Sequence, residues 1–329
     1  MYRNRRIFTT VSNDPQPAGN RWVCPAGVTR VRLVGFGGGG GGGGGYGGAT
    51  VTNWWAGGGG GGGGAVQGEV EVDVTPGTTY EVVVGAGGTA GTGGSGASGN
   101  DGGDGGSTIF RVYLGSVVYT FRGAQGGAAG AIVFNDTSYA ICLGGNPVIG
   151  PAGTKAGAAN FRKRTLTSAS ELQLLAGETL FNVRAIPGMG GQGMTTHGDS
   201  TTAVGNTSPA GIRRGSNSIQ GFQGGNGGAQ GFDLGSGYHP ADAGAGNYQE
   251  GGPGGGGGAG PAGNGGNGGD STIFNTLGGN IAPNGGAAGG ANTGAGGGGG
   301  SGGISGVNPN YSAGGAGGAG GSGKLIMYW

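Results

Sequence analysis

Two histidines, two cysteines and a thin scatter of carboxylates are all that this chain of 329 residues offers to acid–base, nucleophilic or metal chemistry. His197 and His239 have Asp199 and Asp242 close by, the residue types of a metal site. Such a site needs three or four ligands converging on one ion, and two separated His/Asp pairs do not supply that pattern. Nucleophilic catalysis needs a thiol or hydroxyl beside a base. Cys24 and Cys142 sit instead in the apolar contexts WVCP and AICLG, which reads as two buried thiols rather than a disulfide. GxGxxG strings abound, but composition alone generates them, and no long helix follows them as a nucleotide fold requires. The expectation is a protein with no catalytic residues, no metal and no cofactor.

Binding chemistry is better represented. Segments 49–56, 194–222, 230–250 and 304–312 set aromatic and Arg residues among Ser, Asn and Gly. Stiff aromatic side chains give contact area at low entropy cost, and aromatic and Arg residues anchor interfaces. Candidate receptor-contacting residues are Trp54, Trp55, Arg213, Arg214, Tyr238, His239, Tyr248 and Tyr311. Trp54 and Trp55 fit equally well as a small core covering glycine-rich backbone. Sixteen basic and fifteen acidic residues leave a net charge of +1, so no basic surface for nucleic acid is expected. Arg3, Arg5 and Arg6 read as a solvated end. MYRNRRIFTT lacks the apolar core of a signal peptide, and no run of about 20 bulky apolar residues occurs, so neither export nor membrane insertion is expected.

The elements that must hold these residues are built from glycine, which fills 100 of the 329 positions. Collagen would need glycine at every third place with abundant proline, and only 13 prolines are present. Here the phase is inverted. Ala86, Thr89, Thr92, Ser95, Ser98, Asp101, Asp104 and Ser107 recur every third residue, with glycine at nearly all intervening places. Asn264, Asn267 and Asp270 repeat the pattern, as do Ala313, Ala316, Ala319 and Ser322. Three residues per turn is the period of a polyproline-II-type helix, so one edge carries small side chains and two edges are bare backbone. A lone glycine helix is unstable, because glycine loses the most entropy on ordering. Packed side by side, bare edges let backbones approach and exchange hydrogen bonds. Unbroken, 86–107 would span roughly 65 Å.

Ordinary strands flank the glycine. Residues 28–34 alternate apolar and Arg, and 70–74 alternate Val with acidic residues whose side chains can pair with Arg30 and Arg32. Pro76-Gly77 marks a turn into a return strand at 80–84, and a second hairpin is expected at 107–122, turning at Gly115-Ser116. Ser168 and Glu171 have capping-box spacing ahead of a short α-helix near 169–176. Residues 181–186 and 324–329 read as strands. GNDGGDGGSTIF at 99–110 is echoed by GNGGNGGDSTIF at 263–274, which suggests two glycine helices entering the apolar base alike. The fold class is therefore mainly β without α/β character: a small β-sheet base with a packed bundle of polyglycine-II helices. The chain divides into 1–36 (first strands and base), 37–130 (first glycine-rich part with hairpins), 131–187 (a conventional insertion) and 188–329 (second glycine-rich part, variable loops and closing strand).

The start at Trp22 to Leu33, WVCPAGVTRVRL, runs straight into polyglycine. VTPGTTYEVVVGAGG follows at 74–88, and the chain closes on a glycine run and an apolar strand. Over roughly 20–122 and 250–329 this resembles the glycine-rich domain of phage tail and tail-fibre proteins. It is similar in character to the distal adhesins of T-even-type phages. The resemblance implies a non-enzymatic virion protein, assembled in the host cytoplasm. It would bind a host cell-surface receptor, protein or glycan, through loops between rigid polyglycine helices, alongside other virion proteins. A purely structural virion component and an ice-binding polyglycine bundle are the alternatives.

Overall fold

In the computed structural model the described residues are 2–11, 20–47, 54–56, 58–65, 67–130, 132–134, 141–142, 182–185, 193–194, 248–251, 254–270, 272–275, 279–280, 285–303 and 313–329. The base is two antiparallel sheets. The first joins β1 (Arg5–Phe8), β16 (Lys324–Tyr328), β3 (Arg30–Phe36), β5 (Gln67–Asp73) and β11 (Asn182–Ala185) in that order. The second joins β2 (Arg21–Val23), β6 (Thr79–Val83), β7 (Thr108–Val112) and β8 (Val117–Phe121). Period-two alternation turns Val31 and Leu33 inward from β3, to meet Val82, Phe110, Leu325 and Met327 in one buried cluster. Tyr80 stacks on Phe110 at 5.1 Å. The opposite face of the first sheet carries the expected charge pairing. Arg30 bonds Asp73 at 3.0 Å, and Arg32 pairs with Glu69. Arg30–Asp73 is exposed and solvent-screened, so it serves mainly to hold register.

Two expected hairpins differ. Strands β5 and β6 do not pair; the turn at Pro76-Gly77, with Gly77 at φ 79°, carries the chain from one sheet to the other. Val70 and Val74 then face Tyr80, Val82 and Val84 within one core, which a flat hairpin cannot arrange. The β7–β8 turn lies at Tyr113-Leu114 instead of Gly115-Ser116: Gly115 N–H donates to the Val112 carbonyl at 2.8 Å and Leu114 takes φ 54°. A register shift between Phe110 and Arg111 absorbs one residue and moves the turn back. The strand expected at 181–186 is β11, paired with β5. The α-helix expected near 169–176 lies outside the described residues.

Ten glycine-rich segments form a lattice on this base; six of them continue from its strands, and the other four reverse at turns 261–263 and 291–294. The ten are labelled pg1 (37–47), pg2 (59–65), pg3 (86–94), pg4 (97–106), pg5 (123–130), pg6 (254–260), pg7 (263–270), pg8 (285–290), pg9 (295–303) and pg10 (313–323). Their hydrogen bonds repeat every three residues, not every two, so they are threefold helices and not strands. Along pg1, Gly38, Gly41, Gly44 and Gly47 donate to pg4; Gly39, Gly42 and Gly45 donate to pg10; Gly40 and Gly43 donate to pg2. Its carbonyls accept from pg3, pg5 and pg9. Six neighbours thus surround pg1, and pg9 likewise bonds to six: pg1, pg2, pg6, pg7, pg8 and pg10. The ten helices form three rows, pg5–pg2–pg6, pg4–pg1–pg9–pg7 and pg3–pg10–pg8, a sandwich of two fused hexagons. Both central helices are almost wholly glycine because every edge is occupied. A Cβ on Gly42 would stand 2.0 Å from the Gly298 carbonyl oxygen, and one on Gly41 2.0 Å from that of Thr89.

Two expectations drawn from the triplets are corrected. Residues 86–107 are not one long helix. The chain reverses at 95–97, with Gly96 at φ 64°, so pg3 and pg4 lie antiparallel and each spans about 30 Å at 3.1 Å per residue. Doubling back gives each arm the other's hydrogen bonds. The repeated Ser-Thr-Ile-Phe ends do not enter the base alike. pg4 runs into β7 of the base, whereas pg7 runs away from the base into β14 (Thr272–Asn275). What the two copies share is lattice position, since pg4 and pg7 close the two ends of the four-helix row.

Sheet and lattice meet at a fork. In the lattice pg1 touches pg3 directly, but its continuation β3 is separated from β6 by core side chains. Thr108, wholly buried, spans the fork: its Oγ1 donates to the Phe36 carbonyl at 2.9 Å and accepts from Gly85 N–H at 3.1 Å. Thr108→Val keeps the shape and strands both backbone groups. The expected loss is about 1–3 kcal/mol by denaturant unfolding. A loss within error of zero would mean that Thr108 does not clasp the fork.

Candidate binding site

The base end of the lattice is marked by Gly37, Gly85, Gly106, Gly123 and Gly323, each within two residues of a strand, and by the turns at 261–263 and 291–294. The bonding levels place Gly47, Gly59, Gly130, Gly254, Asp270, Gly303 and Ala313 towards the opposite end. Segments 48–58, 131–253, 271–284 and 304–312 therefore all leave the lattice from that far end. The chain's order of glycine runs and insertions becomes a spatial division, with folding core at one end and varied sequence starting from the other. One excursion returns: β11 reaches the edge of the base beside β5.

Short strands stand at this far end. β4 (Trp54–Ala56) pairs with β9 (Ile132–Phe134), placing Trp54 opposite Phe134 and Trp55 opposite Val133. β13 (Tyr248–Gly251) pairs with β14, placing Tyr248 opposite Asn275, and β14 pairs with β15 (Gly279–Asn280). β13 lies beside β4. The backbones of Trp54, Trp55 and Tyr248 are thus brought to one end of the molecule. Arg213, Arg214, Tyr238, His239 and Tyr311 lie outside the described residues, as do His197, Asp199 and Asp242. Among the described residues no group of three or more His, Cys, Asp or Glu is placed to hold a metal ion.

Sequence reasoning missed two features of this end. Tyr46, next to the aromatic segment at 49–56, continues pg1 and is buried, its carbonyl accepting from Gly303 N–H at 2.7 Å. The exposed turn at Ser95, Gly96 and Ala97 also sits here, closed by Asn100 Nδ2 donating to Thr92 Oγ1 at 2.8 Å. The break in strict triplet phase at Ala97 and Asn100 was its signal. Away from this end, Cys24 is a buried free thiol whose Sγ donates to the Val28 carbonyl at 3.2 Å, and burial pushes its pKa up. Cys142 lies in β10 (Ile141–Cys142), paired with β12 (Gly193–Met194).

Among the described residues, architecture and site define a scaffold without α-helix: a β-sandwich prolonged by a glycine lattice whose insertions depart from one end. A family model described as a glycine-rich domain matches residues 16–273, and the chain belongs to that family. A comparison with curated proteins finds no match.

Proposed function

We propose that this chain is a phage virion protein of the tail-fibre or tail-tip adhesin type, binding a host cell-surface receptor without catalysis. The observation that supports this reading is the segregation of the insertions: the segments holding every candidate residue leave the lattice from the end opposite the base. Glycine helices supply rigidity but almost no side-chain identity, so specificity falls to the interruptions, as it does for loops on rigid scaffolds generally. The base is then the end turned towards the other virion proteins, and assembly takes place in the host cytoplasm. In a purely structural role the same loops would meet virion neighbours instead of a receptor.

Replacing Trp54, Trp55, Tyr248, Tyr238, His239, Arg213, Arg214 and Tyr311 by Ala, in two groups of four, tests the reading. The expected result is loss of adsorption to host cells of roughly tenfold or more, as for the removal of interface anchors, with melting unchanged. Intact adsorption in both groups, or a collapse in melting temperature, would count against it. One observation favours the ice-binding alternative: the pg3–pg10–pg8 face exposes rows of Ala and Thr. Thermal hysteresis of the purified protein would replace the adhesin reading with that one.

A further inference from the structure

The lattice has no intrinsic reason to stop at ten helices. Most interior contacts are made between glycine edges, and a bare edge on the outside offers the same backbone donors and acceptors to another molecule. An exposed sheet edge carries the same hazard. The outward edges of pg3 and pg10 are not bare. Ala86, Thr89 and Thr92 stand along pg3, and Ala313, Ala316 and Ala319 along pg10, and these rows face outward. Their inward-facing neighbours are glycines that admit no side chain, such as Gly88, where a Cβ would meet the Gly103 carbonyl oxygen at 2.0 Å.

The end of the four-helix row is closed differently. Asp104 accepts from Gly126 N–H at 2.9 Å and Asp101 from Ala129 N–H at 2.7 Å. These carboxylates on pg4 serve N–H groups of pg5 that would otherwise be open to the carbonyl of a further helix. Two unlike devices, a methyl-bearing row and a carboxylate cap, therefore occupy two of the places where the lattice would grow.

We propose that these rows are a barrier to self-association: they keep the glycine lattices of two copies of this chain from merging through the face formed by pg3 and pg10. One Cβ per turn suffices, because the threefold period returns it to the same edge about every 9 Å and no register avoids it. The proposal rests on the lattice alone and is independent of what the loop end binds.

The test strips the face of the full chain: Ala86→Gly, Thr89→Gly, Thr92→Gly, Ala313→Gly, Ala316→Gly and Ala319→Gly together, followed by sedimentation equilibrium across a wide concentration range. The parent should hold a constant mass. The six-glycine variant should rise with concentration to twice that mass or beyond, and Ala313→Ser, Ala316→Ser and Ala319→Ser together should behave as the parent. Three results would overturn the idea. The first is a folded six-glycine variant that keeps the parent's mass. The second is an unfolded one, which would make the rows supports of the monomer. The third is a parent that already associates in a manner abolished by Ala316→Val.

Discussion

Gly42→Ala should leave no folded protein at ordinary temperature. Gly42 lies midway along pg1, donating to the Gly318 carbonyl at 2.8 Å and accepting from Gly91 N–H at 2.9 Å. Its third edge faces pg9, where an added Cβ would stand 2.0 Å from the Gly298 oxygen and 2.4 Å from its carbon. Those atoms are backbone of another helix and cannot rotate away. Making room means parting pg1 from pg9, and both helices are bonded on every other side. Overpacking of an ordinary core costs about 1–3 kcal/mol because side chains give way. Here nothing gives, and a loss above about 4 kcal/mol is expected. Gly285→Ala is the control: its nearest obstacle is the Ala316 oxygen at 3.3 Å, and its effect should stay within about 1 kcal/mol. Chemical unfolding or soluble yield reads both. A Gly42→Ala protein melting within a few degrees of the parent would show that the lattice is looser than its hydrogen bonds require.

Arg111→Ala should cost about 3 kcal/mol, and Glu81→Leu with Arg111→Met should recover most of that loss. Glu81 is fully buried on β6, on the face of the second sheet turned away from the core, and Arg111 Nε donates to its Oε1 at 2.7 Å. The register sets Glu81 between Arg21 of β2 and Arg111 of β7. Removing one partner of a buried pair leaves a desolvated charge, worth about 3–5 kcal/mol, whereas replacing both by apolar groups is often neutral. Arg111 keeps 20% exposure, which favours the lower end of that range. Equal losses for the single and double variants, measured by denaturant midpoint, would mean that packing around the pair matters more than its charge.

The strands were legible because alternation survives in any environment. Val31 and Leu33 against Arg30 and Arg32 state their two faces outright, and the acidic residues of β5 announce their partners. The lattice was legible for a related reason. A side chain allowed only at every third position records which edge of a threefold helix is free, so Asp101, Asp104, Ala316 and Ala319 mark outer helices by their spacing alone. Pairing was not legible. Pro76-Gly77 signals a turn equally well whether the chain returns to the same sheet or crosses to the other, and the choice follows from where Tyr80 and Val82 find a core. The fold-back at 95–97 left only the phase breaks at Ala97 and Asn100, and Ala90 breaks the phase equally without a turn, so the sequence did not say which break reverses the chain.

Residue order alone sets the material of this protein: threefold glycine helices and the edges left free for side chains. Direction and neighbourhood are tertiary choices. Glycine edges are chemically identical, so nothing local distinguishes pg2 from pg4 as a partner for pg1, or says that pg7 runs opposite to pg4. For the six helices that continue from base strands, that choice is made by the strands, whose side chains fix which helices start side by side; the other four take their places by folding back at 261–263 and 291–294. The lattice then carries the order some ten residues outward and delivers Trp54, Trp55 and Tyr248, far apart in the chain, to the same end of the molecule.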